Sequence, residues 1–425
     1  MFKTVLKKFV SDESKLLLFY HNLKSYFFAT LYGFPTNNMY VVAVTGTNGK
    51  TSTCNLLYQA YKHLGVKVSM LSTVNYSICG DEYENKNKMS TLPANKLFAL
   101  LRKMKKADTE VLIIEATSHA AVQGRLNSIK FDQLVFTNLG QDHLEYHGGF
   151  EAYKQAKISL TKKLKKDSVF IYNSFDDHSV DFVSQIKSRS LSFGYENSDN
   201  IALNSYDLSL EGSTFNISFN NKKYQLSTQI LGLYNILNIM AVLISLDVYN
   251  NQFQKNLDVV SNFKPVPGRL DVLKSKNNTF IFDYAHDTSG LYNLLSFVSE
   301  QKSGRLILLF GCVGGGRDKS KRPLMGEVAS KFADYMFITN DDPYWEDPEE
   351  IISHILAGMH SESLKKVEKI VDREKAILAA FDFLKPNDVL VLAGKGGEKV
   401  TIIGDKKIDF DEKEIVSNLI SNHGS

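Results

Sequence analysis

From residue 40 onward, short β-branched runs alternate with stretches whose apolar residues recur every three to four positions. Val41, Val42 and Val44 read as a buried strand, and Leu56, Leu57, Ala60, Tyr61 and Leu64 then keep helical spacing until Gly65 ends the pattern. Further strands are predicted at 111–115 (VLIIE), 133–138 (QLVFTN) and 168–172 (SVFIY). That alternation predicts an α/β fold with a parallel, doubly wound sheet. Residues 201–228 break it with two alternating runs that read as antiparallel hairpins appended to the sheet, and a helix is predicted at 232–249. KPVPGRLDV at 264–272 suits a linker, after which strands recur at 279–286, 305–312, 333–340 and 388–396. The division that follows is a short apolar helical segment at 1–39, a central domain at 40–264 and a C-terminal Rossmann-like domain at 265–425.

Composition narrows the class. The 425 residues are 43% hydrophobic and 23% charged, as expected of a globular protein with two or three cores. A net charge of +3, evenly spread, gives no footing for nucleic acid. Cys54, Cys79 and Cys312 are isolated, so neither zinc nor a disulfide framework is expected, and a reducing cytoplasm is the expected compartment. The run KLLLFYHNLKSYFFATLYGFP at 15–35 is strongly apolar, but His21, Asn22, Lys24 and Ser25 interrupt it. It is too broken to span a bilayer and has no signal-peptide cleavage pattern. The readings left are a helix packed on the body, or one resting on a membrane surface or a partner protein.

The chemistry begins at VVAVTGTNGKTST, 41–53, a strand that turns through glycines into a helix. Gly46 and Gly49 let backbone N–H groups close around a phosphate at the helix N-terminus, where the dipole also favours negative charge. Lys50 is positioned to reach the terminal phosphates of ATP, and the Thr51 hydroxyl to hold Mg²⁺. Val44 stands where the full phosphate-loop pattern has its first glycine, so the motif is the shorter GTNGKT. Thr45, Thr47, Asn48 and Ser52 complete this predicted ATP cradle.

With EATSHAAVQGRL, FTNLGQDHLEYHGGFEAYKQAK, LGLYNILN, VPGRLD, DYAH, FGCVGGGRDKSKRPLMG, DDPYWEDP and AGKGGE in this order, the chain resembles the Mur ligases, and among them the MurE type. The resemblance implies ATP-driven amide formation through an acyl phosphate, on small-molecule substrates: a muramoyl peptide and an amino acid. It implies that Glu115 and His143 hold Mg²⁺, and that Lys157 carries a carbamate helping to hold a second Mg²⁺. His119, His147 and Asp142 are read as ordering the loops. It further implies contacts from Asn138, Asn238, Arg269, Asp283 and Arg317 to the nucleotide, with Tyr284 beside Asp283. Arg317, Asp318, Lys319 and Arg322 are expected to close over ATP and the acyl phosphate. Thr91, Thr117, Ser118, Gln123 and Arg125 are expected to bind the muramoyl peptide, and Asp341, Asp342, Tyr344, Lys395 and Glu398 the incoming amino acid.

Three departures from the pattern matter. The family's uridine-binding N-terminal domain has no counterpart in residues 1–39, which leaves room for a lipid-linked or partner-presented acceptor. Asp341-Asp342-Pro343-Tyr344 stands where diaminopimelate-adding members have Asp-Asn-Pro-Arg, which favours a basic amino acid such as L-lysine. Gly397 stands in AGKGGE where the family has histidine, DYAHDT replaces DYAHTP, and Thr91-Leu92-Pro93 replaces Thr-Thr-Pro. Rival readings are a folate or storage-peptide ligase on the same fold, and a nucleotide-binding scaffold that has lost ligation.

Overall fold

The computed structural model describes residues 15–85 and 89–423, so the helical expectation for residues 1–14 lies outside the described residues. The chain forms two compact units, Met1–Lys264 and Pro265–Ser425.

The first unit is built on one eleven-stranded sheet in the order β11-β10-β9-β8-β7-β6-β1-β5-β2-β3-β4. Its strands are β1 (Tyr40–Thr45), β2 (Val68–Leu71), β3 (Asn75–Ile78), β4 (Asp81–Glu84), β5 (Val111–Glu115), β6 (Phe131–Phe136), β7 (Leu164–Asn173), β8 (Arg189–Gly194), β9 (Ile201–Leu208), β10 (Ser213–Phe219) and β11 (Lys222–Thr228). β1 runs parallel between β5 and β6. Both of its faces are covered, which is why YVVAVT reads as an apolar run and not as an alternation. The helices Lys50–His63 and Leu233–Asn250 cover one face, where Leu56, Tyr61, Ile239 and Leu243 meet Val42 and Val44. Helix Leu233–Asn250 is long and apolar enough to cross a membrane by composition, but it is mostly buried in this core. Leu97, Phe98 and Leu101 of helix Ala94–Lys106 cover the other face with Val41 and Ala43.

The sheet is parallel from β2 to β9, and antiparallel hairpins extend it at both ends. The pair expected at 201–228 is therefore a continuation of the main sheet. At the far end β4 is exposed along its whole length.

Helix Lys15–Leu31 lies on this unit with an unusual polarity. Ser25 and Ala29 are fully buried, and Ser25 Oγ donates to the Arg125 carbonyl at 3.2 Å. Asn22 pairs with Asn127, while Phe19, Tyr20, Leu23, Tyr26, Phe27 and Leu31 are each more than half exposed.

The second unit has a six-stranded sheet, β12-β13-β17-β14-β15-β16, and a separate hairpin β18-β19. The strands are β12 (Asp271–Lys274), β13 (Thr279–Asp283), β14 (Leu306–Phe310), β15 (Tyr335–Ile338), β16 (Val367–Lys369), β17 (Val389–Ala393), β18 (Val400–Ile403) and β19 (Lys406–Asp409). All pair in parallel except the edge pair β12–β13 and the hairpin. Phe280, Leu309, Phe337 and Leu392 form its core with Ile377 and Val416 from the flanking helices. A buried Arg373–Glu412 pair at 2.5 Å ties helix Arg373–Asp382 to the C-terminal helix Glu412–His423.

Candidate active site

In the first unit the candidate residues gather beyond the C-terminal ends of β1, β5 and β6, where parallel sheets hold their ligands. The turn after β1 needs both glycines. Gly46 has φ +150°, and a Cβ there would lie 1.9 Å from Thr137 Oγ1; Gly49 has φ +82°, with Asn238 Oδ1 at 2.8 Å from the same position. Helix Lys50–His63 starts on Gly49 with no side-chain cap, so its first N–H groups face the turn. Thr47 N donates to the Asn138 carbonyl at 2.8 Å, and the Asn138 amide brackets Asn48 by accepting from its N–H at 2.9 Å and donating to its carbonyl at 3.1 Å. Asn138 thus shapes the loop itself. Asn238, buried on helix Leu233–Asn250, bonds Asn235 at 3.0 Å and backs Gly49. Lys50 Nζ donates to the Thr47 carbonyl at 2.6 Å, and Ser52 is buried on the same turn. Thr45 Oγ1, buried at the end of β1, has no hydrogen-bond partner among the described residues.

Glu115 ends β5 and is almost fully buried. Its carboxylate accepts from Thr51 Oγ1 at 3.0 Å, from Thr73 N at 2.9 Å and from Thr73 Oγ1 at 2.8 Å. Those donors are neutral, so a buried negative charge has oxygen neighbours and hydroxyls around it. Such a setting suits a hard divalent cation such as Mg²⁺.

Lys157 is buried on helix Phe150–Ile158, donating to the Gly46 carbonyl at 2.5 Å with its amine 4.7 Å from the centre of the Tyr153 ring. Burial first, and then the Lys50 charge, hold its ammonium well below the usual lysine range against the pull of Asp142 and Glu115. The neutral amine is the form that reacts with carbon dioxide, so the residue fits a carbamate.

His143 stands at a left-handed position (φ 53°) with Asp142 at 3.3 Å and Glu145 at 3.8 Å, its ring edge-on to His119. His147 bonds Ser118 Oγ at 3.0 Å, and burial followed by the His143 and Lys157 charges lowers its pKa to about 4.

The residues expected to bind the acceptor form one network. Arg125 donates to the Thr91 carbonyl and, through two nitrogens, to Gln123 Oε1, while Gln123 Nε2 donates to Tyr146 Oη at 2.9 Å. Thr91 Oγ1 donates to the Glu115 carbonyl at 2.9 Å, joining this network to the carboxylate strand. Thr117 is the N-cap of the short helix Ser118–Val122. Sequence reasoning missed Thr73 and Tyr153. Thr73 falls just past β2, a strand with no clear alternation, and Tyr153 Oη contacts Thr47 Oγ1 at 2.9 Å across 106 residues.

In the second unit, Arg269 stacks 4.2 Å over the Tyr284 ring, and Tyr284 Oη donates to Glu398 at 3.3 Å. The Glu398 charge first, then burial, push the Tyr284 hydroxyl up, with Arg317 and Arg269 opposing. Asp283 accepts from Leu270 N at 2.7 Å and Ala285 N at 2.9 Å, so it anchors the loop after β13. Tyr344 sits at φ 54°, half-buried, within the fields of Asp342, Arg317 and Glu398.

Several of the expected residues make ion pairs within the second unit. Asp342 and Lys395, expected to meet the incoming amino acid, pair with each other at 2.9 Å in full burial, with Asp341 at 3.3 Å from the same amine. Asp342 also accepts from Ile402 N at 3.0 Å. Lys319 and Arg322, expected to close over the nucleotide, both hold Glu346. Arg322 is completely buried in a two-pronged pair with it at 2.8 and 3.0 Å, and Glu346 is pulled down to about 2, by Arg322 first.

Comparison with known proteins gives the family. The Mur ligase middle domain family matches residues 44–246, and the Mur ligase glutamate ligase domain family matches 268–396. A UDP-N-acetylmuramoyl-L-alanyl-D-glutamate–2,6-diaminopimelate ligase of Caldanaerobacter subterraneus subsp. tengcongensis is 36% identical over 396 residues, covering 92% of this chain and 80% of its own. The ligase of the same name from Bacteroides thetaiotaomicron is 34% identical over the same shares. A solved structure of a ligase so named has TM-score 0.65 at 29% identity, covering 95% of this chain and 84% of that one. The Mycobacterium tuberculosis folylpolyglutamate synthase complexed with ADP shares the fold at TM-score 0.73 and 14% identity, over 88% of this chain and 91% of that one.

Proposed function

The chain belongs to the Mur ligase family, as a MurE-type, ATP-dependent ligase of peptidoglycan synthesis, and from that premise we propose that it adds a basic, lysine-like amino acid to a UDP-N-acetylmuramoyl dipeptide. The observation that carries the reading is the joint burial of Lys157, Glu115 and Thr51 against the Gly46–Lys50 turn. A scaffold that only bound nucleotide would have no use for a buried lysine whose ammonium form is disfavoured, within the field of a buried carboxylate.

The acceptor's carboxylate oxygen attacks the γ-phosphorus of ATP and ADP leaves. The amino acid's nitrogen then attacks the acyl carbon, phosphate leaves, and the nitrogen gives up a proton. The turn N–H groups and Lys50 hold the phosphates, and negative charge developing there meets fixed donors. Thr51, Glu115, His143 and carbamylated Lys157 are the residues that would hold Mg²⁺; bound there, the ion supplies charge neutralisation at the phosphates. Arg125, fixed by Thr91 and Gln123, orients an anionic group of the acceptor. Asn138 and Asn238 border the phosphates on the first unit. In the second unit Glu398 meets the incoming amine.

The choice of a basic amino acid rests on Tyr344, which lacks the cation that would grip a second carboxylate. The second reading, diaminopimelate, is favoured by the names of the curated relatives. Phosphate release with ATP, Mg²⁺ and UDP-N-acetylmuramoyl-L-alanyl-D-glutamate, screened with lysine, ornithine and diaminopimelate, separates them by product mass. A lysine tripeptide is expected; a diaminopimelate tripeptide alone would reverse the amino-acid assignment.

A further inference from the structure

We propose that the outward face of helix Lys15–Leu31 rests on an anionic membrane surface. A helix lying on a water-facing protein turns its apolar stripe inward and its polar residues out. This one buries small and mixed residues, with Ala29 and part of Phe28 in the core, and turns most of its large apolar residues outward. Ser25 is fully buried and Asn22 bonds inward to Asn127, while Phe19, Tyr20, Leu23, Tyr26, Phe27 and Leu31 face away from the protein. A contiguous apolar surface of this size, on an element otherwise secured to its unit, points to an apolar environment outside.

Charge selects the occupant. The helix contains no acidic residue, and Lys24 lies 6.0 Å from the centre of the Phe28 ring. At its base Lys163 donates to Asn127 at 2.7 Å, and Lys163 feels the charge of Lys130. Lys162 and Lys166 follow in the same segment and are exposed. Phosphate headgroups meet lysines at such a boundary, and tyrosine rings, apolar with one polar end, suit the headgroup level. His21, Asn22, Lys24 and Ser25 interrupt the stripe, so the helix lies in the interface and does not cross it.

The test is cosedimentation of the full chain with vesicles of phosphatidylglycerol and phosphatidylethanolamine, against vesicles of phosphatidylcholine alone. Binding to the anionic vesicles is expected, weakening as salt rises. Phe19→Ser with Phe27→Ser should lower it about tenfold per residue. Lys130→Glu with Lys166→Glu should lower it roughly fivefold or more per residue. These side chains are exposed, and an unchanged melting temperature checks that each variant folds. No cosedimentation, or cosedimentation that survives the Phe19→Ser/Phe27→Ser change, overturns the proposal. Equal binding to phosphatidylcholine overturns its anionic part. A concentration-dependent dimer that the same substitutions abolish, without vesicle binding, assigns the face to a second copy instead.

Discussion

Thr73 grips Glu115 by both its backbone N–H and its hydroxyl, so it sets where the carboxylate points. Groups that orient a metal-binding carboxylate contribute about 10- to 100-fold to metal affinity. Thr73→Val, which keeps the shape and removes the hydroxyl, should therefore raise the Mg²⁺ needed for half-maximal phosphate release by about tenfold. Turnover at saturating Mg²⁺ should stay near that of the parent protein. At His147 the consequence is pH dependence. Its pKa falls from the ordinary 6.5 to about 4 on folding, so the folded state binds the proton less well than the unfolded chain. Its contribution is complete above pH 6.5 and is lost as the pH falls towards 4, on the order of 3 kcal/mol. Urea unfolding of His147→Gln across that interval should show a flatter decline than the parent. The candidate residues were legible where chemistry and local spacing coincide, as in Thr45–Ser52. Partners across many residues were not: Asp342 and Lys395 look like two available charges in sequence, and only folding brings them together. Arg322 sits in a run of charges expected to close over the nucleotide, and nothing local shows that it is completely buried.

At the scale of elements, the turn between β1 and helix Lys50–His63 admits no side chain at Gly46. Gly46→Ala would meet Thr137 Oγ1 and the Asn138 backbone at a φ that L-residues rarely adopt. The variant should lose about 3 kcal/mol of stability by urea unfolding and have no detectable phosphate release. Strands were readable when both faces are covered and the run is β-branched, as in β1 and β5. β2, β3 and β8 are short or rich in serine, so periodicity alone did not reveal them. The 201–228 region was readable as hairpins, because alternation marks antiparallel strands. Its attachment to the sheet was expected too, but that β9 joins through β8 depends on pairing that no local pattern records.

For the whole molecule, each unit has its own apolar core. Arg373→Ala would leave Glu412 buried without its guanidinium, at a cost of about 3–5 kcal/mol. Hydrogen exchange should then show lost protection across β13–β17, while amides of β1, β5 and β6 keep theirs. Loss in both units together would mean that the cores unfold as one. The eleven-stranded sheet bears on a different question, the protein's solubility. An open sheet has no geometric reason to stop growing, since its last strand offers unpaired N–H and C=O groups to any strand that arrives. Here the terminal strands are charged in opposite senses: Asp81, Glu82 and Glu84 line β4, and Lys222 and Lys223 begin β11. Two copies approaching β4 to β4, or β11 to β11, repel each other before their backbones can pair. Pairing of like edges is thereby opposed, whereas β4 of one copy meeting β11 of another finds the opposite charge, and acid that neutralises the β4 carboxylates removes one of the two guards.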